Sequence, residues 1–204
     1  MGPLGSSSLR GLVSDSMANQ SLLLDACGAI NLAAAEDLDT IERALDTGFL
    51  MVDQAAPEIG YLRAEAGGQI VRAPIDLRPY LLSGTMRFLQ LAEEELPQYV
   101  RLATMVDDGE AATLAVAESR GLQLATDDRK ARRLCVELGL LEPIRSLHLL
   151  RSYFDATALG EQAVRERLVR IRDRASFRPG RTLISSGGPH TSVKNDRRDR
   201  ILSH

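Results

Sequence analysis

The sequence predicts an α/β fold, a three-layer α/β/α sandwich around a mostly parallel sheet, with a C-terminal helix and a tail beyond it. Three observations predict it. Short, unbroken apolar runs recur along the chain, the pattern of strands buried on both faces. Segments of helical length separate them, so strands and helices alternate. The core must also be aliphatic: 204 residues with 44% hydrophobic content hold no Trp, four Phe and four Tyr.

The first strand is Ser21–Asp25, SLLLD, and the small residues from Cys27 to Ala35 read as a helix that continues from Asp37 to Asp46. Gly48 breaks it, and Phe49–Val52 is a second strand. Pro57 suits a first helical turn, so a helix is expected from Pro57 to Ala66, ended by Gly67-Gly68. Residues 70–75 read as extended, Pro79–Leu82 as a short helix and Ser83-Gly84 as a turn. Met86–Leu91 alternates like a strand. Helices follow over Leu96–Met105 and Gly109–Ser119, then a strand over Leu122–Thr126 that runs straight into Asp127-Asp128. Arg129–Leu138 is helical and stopped by Gly139, and Ile144–Leu150 reads as a last strand. Met86–Leu91, Leu96, Val100 and Leu102 are expected in the core, as are Cys135 and Cys27.

Ala158–Ala175 reads as a long helix, with Val164, Leu168, Ile171 and Ala175 at 4, 3, 4 spacing and arginines over much of the rest. The expected organisation is a leader over residues 1–19, an α/β domain over 20–150, a helical extension over 151–176 and a basic, disordered tail over 177–204. The leader contains GPLGS, which reads as a scar left by protease cleavage of an expression tag.

Charge is divided along the chain. The net charge is −3, yet residues 151–204 hold 12 Arg+Lys against 6 Asp+Glu, so an acidic body precedes a basic end. Two cysteines exclude a disulfide framework and a four-cysteine zinc site. Three histidines, all late in the chain, argue against a histidine-rich metal site. No apolar run reaches the roughly 20 residues a membrane span needs, and the start lacks the apolar core of a secretion signal. A cytoplasmic protein is expected.

The chemistry-bearing residues are acids. In open α/β sheets ligands bind beyond the carboxyl ends of the strands, and two predicted strands end in Asp25 and in Asp127-Asp128. Glu58 and Glu110 lie near helix starts. Gathered carboxylates without a Lys or His among them repel one another, and a hard divalent cation relieves the repulsion. Each acid also has a purely structural reading. Asp25 and Asp127 can cap the helices that follow them, Asp107 and Glu110 have capping-box spacing, and Glu58 suits a first turn.

Ser21–Leu32 (SLLLDACGAINL), Glu58–Leu62 (EIGYL) and Asp108–Leu138 resemble the PIN-domain ribonucleases, in particular the VapC-type toxins. The last stretch, with a GEA helix, a Gly turn, a strand and then T-D-D, is the most specific. The resemblance covers about residues 20–150. It implies a Mg²⁺- or Mn²⁺-dependent endoribonuclease with catalytic Asp25, Glu58, Glu110 and Asp128, and with Asp25, Glu110, Asp127 and Asp128 as candidate metal ligands. It further implies RNA as substrate, an antitoxin partner and a homodimer. Departures are also present: Ala26 and Cys27 follow the first acid where the family often has a hydroxyl residue and then Asn or a small residue. Lys130 stands where many members have another Asp.

An acidic site does not attract RNA unaided. Arg129, Lys130, Arg132 and Arg133 directly follow the acids and are the candidate nucleic-acid contacts, with Arg63 and Arg72 as further rim candidates; a solvated helix face is the plain alternative for the first four. A receiver domain and a D-x-D phosphatase are excluded, because Cys27 supplies no second acid after Asp25. The alternative function is a PIN-like binding or regulatory module of weak or no catalytic activity.

Overall fold

The computed structural model describes residues 21–175. The leader and the basic tail lie outside the described residues. Four strands form the central sheet: β1 (Leu22–Leu24), β2 (Phe49–Val52), β5 (Met86–Leu89) and β6 (Gln123–Ala125), in the order β5-β2-β1-β6. Every pairing in it is parallel, with Leu23 opposite Leu50 and Leu124, and Leu24 opposite Ala125.

Helices cover both faces, as the sequence predicts. On one side lie α1 (Ala26–Ala35), α2 (Leu38–Leu45), α7 (Ser146–Ala156) and α8 (Glu161–Arg174); on the other lie α4 (Leu96–Ala103), α5 (Asp108–Arg120) and α6 (Arg129–Glu137). Successive strand residues point to opposite faces. Leu22 and Leu24 therefore enter the first core with Phe49, Met51 and Met86, while Leu23 enters the second with Leu50, Val52 and Leu124. Burying each such leucine contributes about 1.5–3 kcal/mol relative to exposure. The C-terminal helix belongs to the first core. Leu168 and Ile171 are buried there, and Arg167 pairs with Glu36 at the end of α1.

Several expectations are overturned. Residues 57–66 are not a helix. A 3-10 turn over Asp53–Glu58 leads into β3 (Tyr61–Ala66), which pairs antiparallel with β4 (Gln69–Pro74). Gly67 and Gly68 sit at φ +60 and +75, the two left-handed positions of a tight two-residue hairpin turn. Ala, Leu and Glu favour helix, but the Gly pair closes a hairpin that overrides them. A short helix, α3 (Arg78–Ser83), then leads to β5.

Ile144–Leu150 is not a strand either. Ile144 alone bridges Ala125, and α7 begins at Ser146. Its buried apolar residues, Leu149, Leu150, Tyr153 and Phe154, recur at helical spacing, which a short apolar run conceals.

In α4 only Leu102 is fully buried. Leu96 and Val100 are 43% and 61% exposed, because residues four apart share the outer face. Met86 is buried, but Arg87 is exposed and Phe88 and Leu89 are half-buried, as befits an edge strand. Cys135 is buried as expected, whereas Cys27 is exposed on the first turn of α1, which shows its outer side to solvent. Among the described residues no helix is long and apolar enough to cross a membrane.

Candidate functional site

The strand order reverses beside β1. The chain moves from β1 outward to β2 and β5, then returns to place β6 on the other side of β1. At such a switch point the two connections leave in opposite directions and open a crevice beyond the strand ends. Asp25 leaves β1 at this point, and Thr126-Asp127-Asp128 leaves β6.

Asp25 is buried, at 5% exposure. Its Oδ1 accepts from the Gly28 N–H and so caps α1, while its Oδ2 accepts from the Thr126 hydroxyl. Burial pushes its carboxyl up to about 6 against these two bonds, and the charges of Asp127 and Asp128 push the same way. Gly28 is required here because a Cβ would stand 2.9 Å from Asp25 Oδ1 and 3.1 Å from the Ala125 carbonyl oxygen.

The next two acids meet at the start of α5. Asp107 caps that helix through the Glu110 N–H, 2.8 Å away. Glu58, arriving at the end of its 3-10 turn, accepts from the Gly109 N–H at 3.0 Å. A Cβ on Gly109 would fall 2.1 Å from Glu58 Oε1, so glycine admits the carboxylate to the positive end of the helix. Partial desolvation and then the Asp107 charge raise the Glu58 carboxyl above its ordinary value, opposed by the Gly109 bond. Glu110 projects from the same turn. Desolvation pushes it up to about 7, followed by the charges of Asp107, Asp128, Asp25 and Glu58.

Asp128 caps α6. Its Oδ1 accepts from Lys130 and Ala131 N–H groups at 2.6 and 2.9 Å, which leaves Oδ2 without a hydrogen bond among the described residues. Asp127 turns elsewhere: Asn31 of α1 donates to its Oδ2 at 2.9 Å, and Arg145 Nε stands 3.8 Å from its Oδ1. Asp25 caps a helix and also lies beside the other acids, so its two readings are not exclusive; α6 is capped by Asp128 and not by Asp127 as expected, because the Asp127 side chain faces Asn31 and Arg145. Cys27 also borders the cluster. Its outer side is exposed, yet crowding on its inner side, then the charges of Asp25, Glu110, Asp127 and Asp128, push its thiol up to about 12.

Glu110 thus feels the charges of Asp25, Glu58 and Asp128, which arrive from three other, distant chain segments. Among the described residues no three His, Cys, Asp or Glu side chains form a ready-made metal cage. The donor chemistry nevertheless fits a hard cation. Every candidate ligand is a carboxylate oxygen, Asp128 Oδ2 is uncommitted, and the carboxylate of Glu110 makes no hydrogen bond among the described residues.

Of the predicted cations, Arg129, Arg132 and Arg133 line a groove of about 700 Å³ beside α6, and Lys130 is exposed outside its lining. Arg63 and Arg72 are carried on the hairpin, paired in register, with Arg72 stacked 4.3 Å over the Tyr61 ring. Sequence reading missed Thr126, Asn31 and Arg145. Thr126 was legible as part of T-D-D; Arg145 was hidden by its placement inside an expected strand.

No protein-family model matches this chain, and no curated protein does. Among solved structures it is similar to the crystal structure of PAE2754 from Pyrobaculum aerophilum. Identity is 20% over 72% of this chain and 96% of that one, with a TM-score of 0.40.

Proposed function

We propose that this protein is a Mg²⁺- or Mn²⁺-dependent endoribonuclease of the PIN-domain kind, working at the β1/β6 crevice. One feature supports the reading: Asp25 and Asp128 stand just past the ends of the adjacent parallel strands β1 and β6, and their charges, after burial, help to push the Glu110 carboxyl up. Such a cluster is unfavourable unless positive charge relieves it.

In this reading Asp25, Glu110 and Asp128 hold the ion, and Glu58 sits beside them at the α5 N-terminus. The chemistry supplied with a bound Mg²⁺ or Mn²⁺ is charge neutralisation at the phosphate and acidification of water. Thr126 and Gly28 hold the Asp25 carboxylate in one orientation. Glu58 is the carboxylate left to orient water or take its proton, at Oε2, since Oε1 is tied to Gly109. Asp127 is assigned a positioning role because its oxygens face Asn31 and Arg145. The wider proposal keeps an antitoxin as partner, a homodimer as assembly and the cytoplasm as location.

The test is cleavage of a labelled single-stranded RNA with Mg²⁺, with Mn²⁺ and with EDTA. Activity should require the metal and fall at least a hundredfold in Asp25→Asn. Metal-independent or absent cleavage rejects the nuclease. It would favour the second reading, a PIN-like binding module, toward which Ala26 beside the first acid and Lys130 after T-D-D both point.

A further inference from the structure

The groove beside α6 has two walls. Arg129, Arg132 and Arg133 stand three and four residues apart, on one flank of the helix. The facing wall is the segment Glu142–Arg145 with His148 from the first turn of α7. Four guanidinium groups line the groove against one carboxylate, Glu142.

The cations are poorly neutralised. Arg129 and Arg132 have no carboxylate partner among the described residues, and Arg133 meets only the exposed Glu137, at 3.3 Å. A pair so exposed contributes little and yields readily to a better anion. Arg145 occupies a special place. It lines the groove, yet its Nε is buried and, among the described residues, has no hydrogen-bond partner; it faces Asp127 Oδ1, which also accepts no hydrogen bond among them, at 3.8 Å. Among the described groove residues, its guanidinium is the one that approaches a side-chain carboxylate of the acids that follow β6.

We propose that the groove between α6 and residues 142–148 binds the phosphate backbone of RNA, with Arg145 joining that backbone path to the acid cluster through Asp127. Guanidinium forks match phosphate oxygens in two-point contacts. Among the described residues no Phe, Tyr or Trp lines the groove, so contact runs through the backbone and carries little sequence preference. A volume of about 700 Å³ lies within the usual range of ligand sites. Binding in the groove stands on these observations alone; only its coupling to cleavage rests on the nuclease reading.

The experiment is fluorescence anisotropy with a labelled single-stranded RNA dodecamer, in EDTA so that no cleavage intervenes, across a salt series. Arg132→Gln and Arg145→Gln should each weaken binding roughly tenfold and lower the salt slope by about 0.7 for each phosphate that is no longer neutralised. Arg145→Lys should retain most of the affinity, which separates a missing charge from a folding defect. Arg43→Gln, on α2 and outside the groove, should bind as the parent does. Groove variants with parental affinity and slope overturn the proposal, as does an acidic peptide that competes as strongly as RNA. Groove-dependent binding without metal-dependent cleavage keeps this proposal and sinks the nuclease. Cleavage and binding untouched by the groove variants do the reverse.

Discussion

The Thr126 hydroxyl donates to the buried carboxylate of Asp25 across 101 residues of chain, locking the end of β6 to the end of β1. This bond makes the threonine of T-D-D a partner of the first acid, and it orients the carboxylate whose other oxygen caps α1.

Thr126→Val keeps the shape and removes the donor. A hydrogen bond to a charged group contributes about 1.5–3 kcal/mol, so urea unfolding at neutral pH should show a loss of that size. The Asp25 carboxyl should also titrate higher than in the parent, because the bond holds it down. An unchanged titration, followed by NMR of the carboxyl carbon, would count against the contact.

The raised carboxyl of Asp25 makes a pH prediction for metal-free protein. Its pKa goes from an ordinary 3.8 to about 6 on folding, so the folded state keeps a proton that the unfolded state releases. Stability from this group is fully present below about 3.8 and is lost as pH rises through about 6. Thermal melts in EDTA should show Asp25→Asn gaining on the parent between pH 4 and pH 7, by on the order of 2–3 kcal/mol. Mg²⁺ or Mn²⁺ should stabilise the parent more than this variant at pH 7. A constant difference across that range would refute the assignment.

Gly109→Ala separates site from scaffold. Alanine in the first turn of α5 favours the helix by up to about 1 kcal/mol, but its Cβ would displace the Glu58 carboxylate. Stability should hold within about 1 kcal/mol while RNA cleavage drops as far as in Glu58→Gln. Parental cleavage in both variants would remove Glu58 from the site.

Glu95 and Arg120 form an ion pair that sequence reading did not foresee. Glu95 is 2% exposed and accepts two bonds from the Arg120 guanidinium, at 2.7 and 2.8 Å, and a third from the Ala92 N–H. These hold its carboxyl below the usual range, the Arg120 bond first. Arg120→Ala strands a buried charge and should cost about 3 kcal/mol at pH 7. The deficit should shrink as pH falls below about 4.5, where the unfolded carboxyl also takes a proton. Chemical denaturation at pH 7 and pH 4 checks both.

The layered α/β architecture was legible because strand burial is written locally: Leu22–Leu24, Phe49–Val52 and Leu122–Thr126 are apolar without interruption, or nearly so, and helix-length segments part them. Their terminal acids were legible for the same reason. The hairpin was misread because Tyr61–Ala66 is built largely of helix formers, and only the pairing with Gln69–Pro74 decides the matter. The single bridge at Ile144 was misread because a short, largely apolar run suits either periodicity until a core selects one.

By itself, then, the chain determined where most of the central strands lie, which residues carry negative charge and where along the backbone each acid falls, since these follow from side-chain chemistry and short-range spacing. Only the tertiary structure decided that β6 lies beside β1, that Glu58 reaches the start of α5, and that Arg145 faces Asp127. The segments that meet in the first two cases are far apart in sequence, and the third depends on how the chain turns after α6. Their energies come from burial and electrostatics between surfaces that do not exist until the sheet has formed.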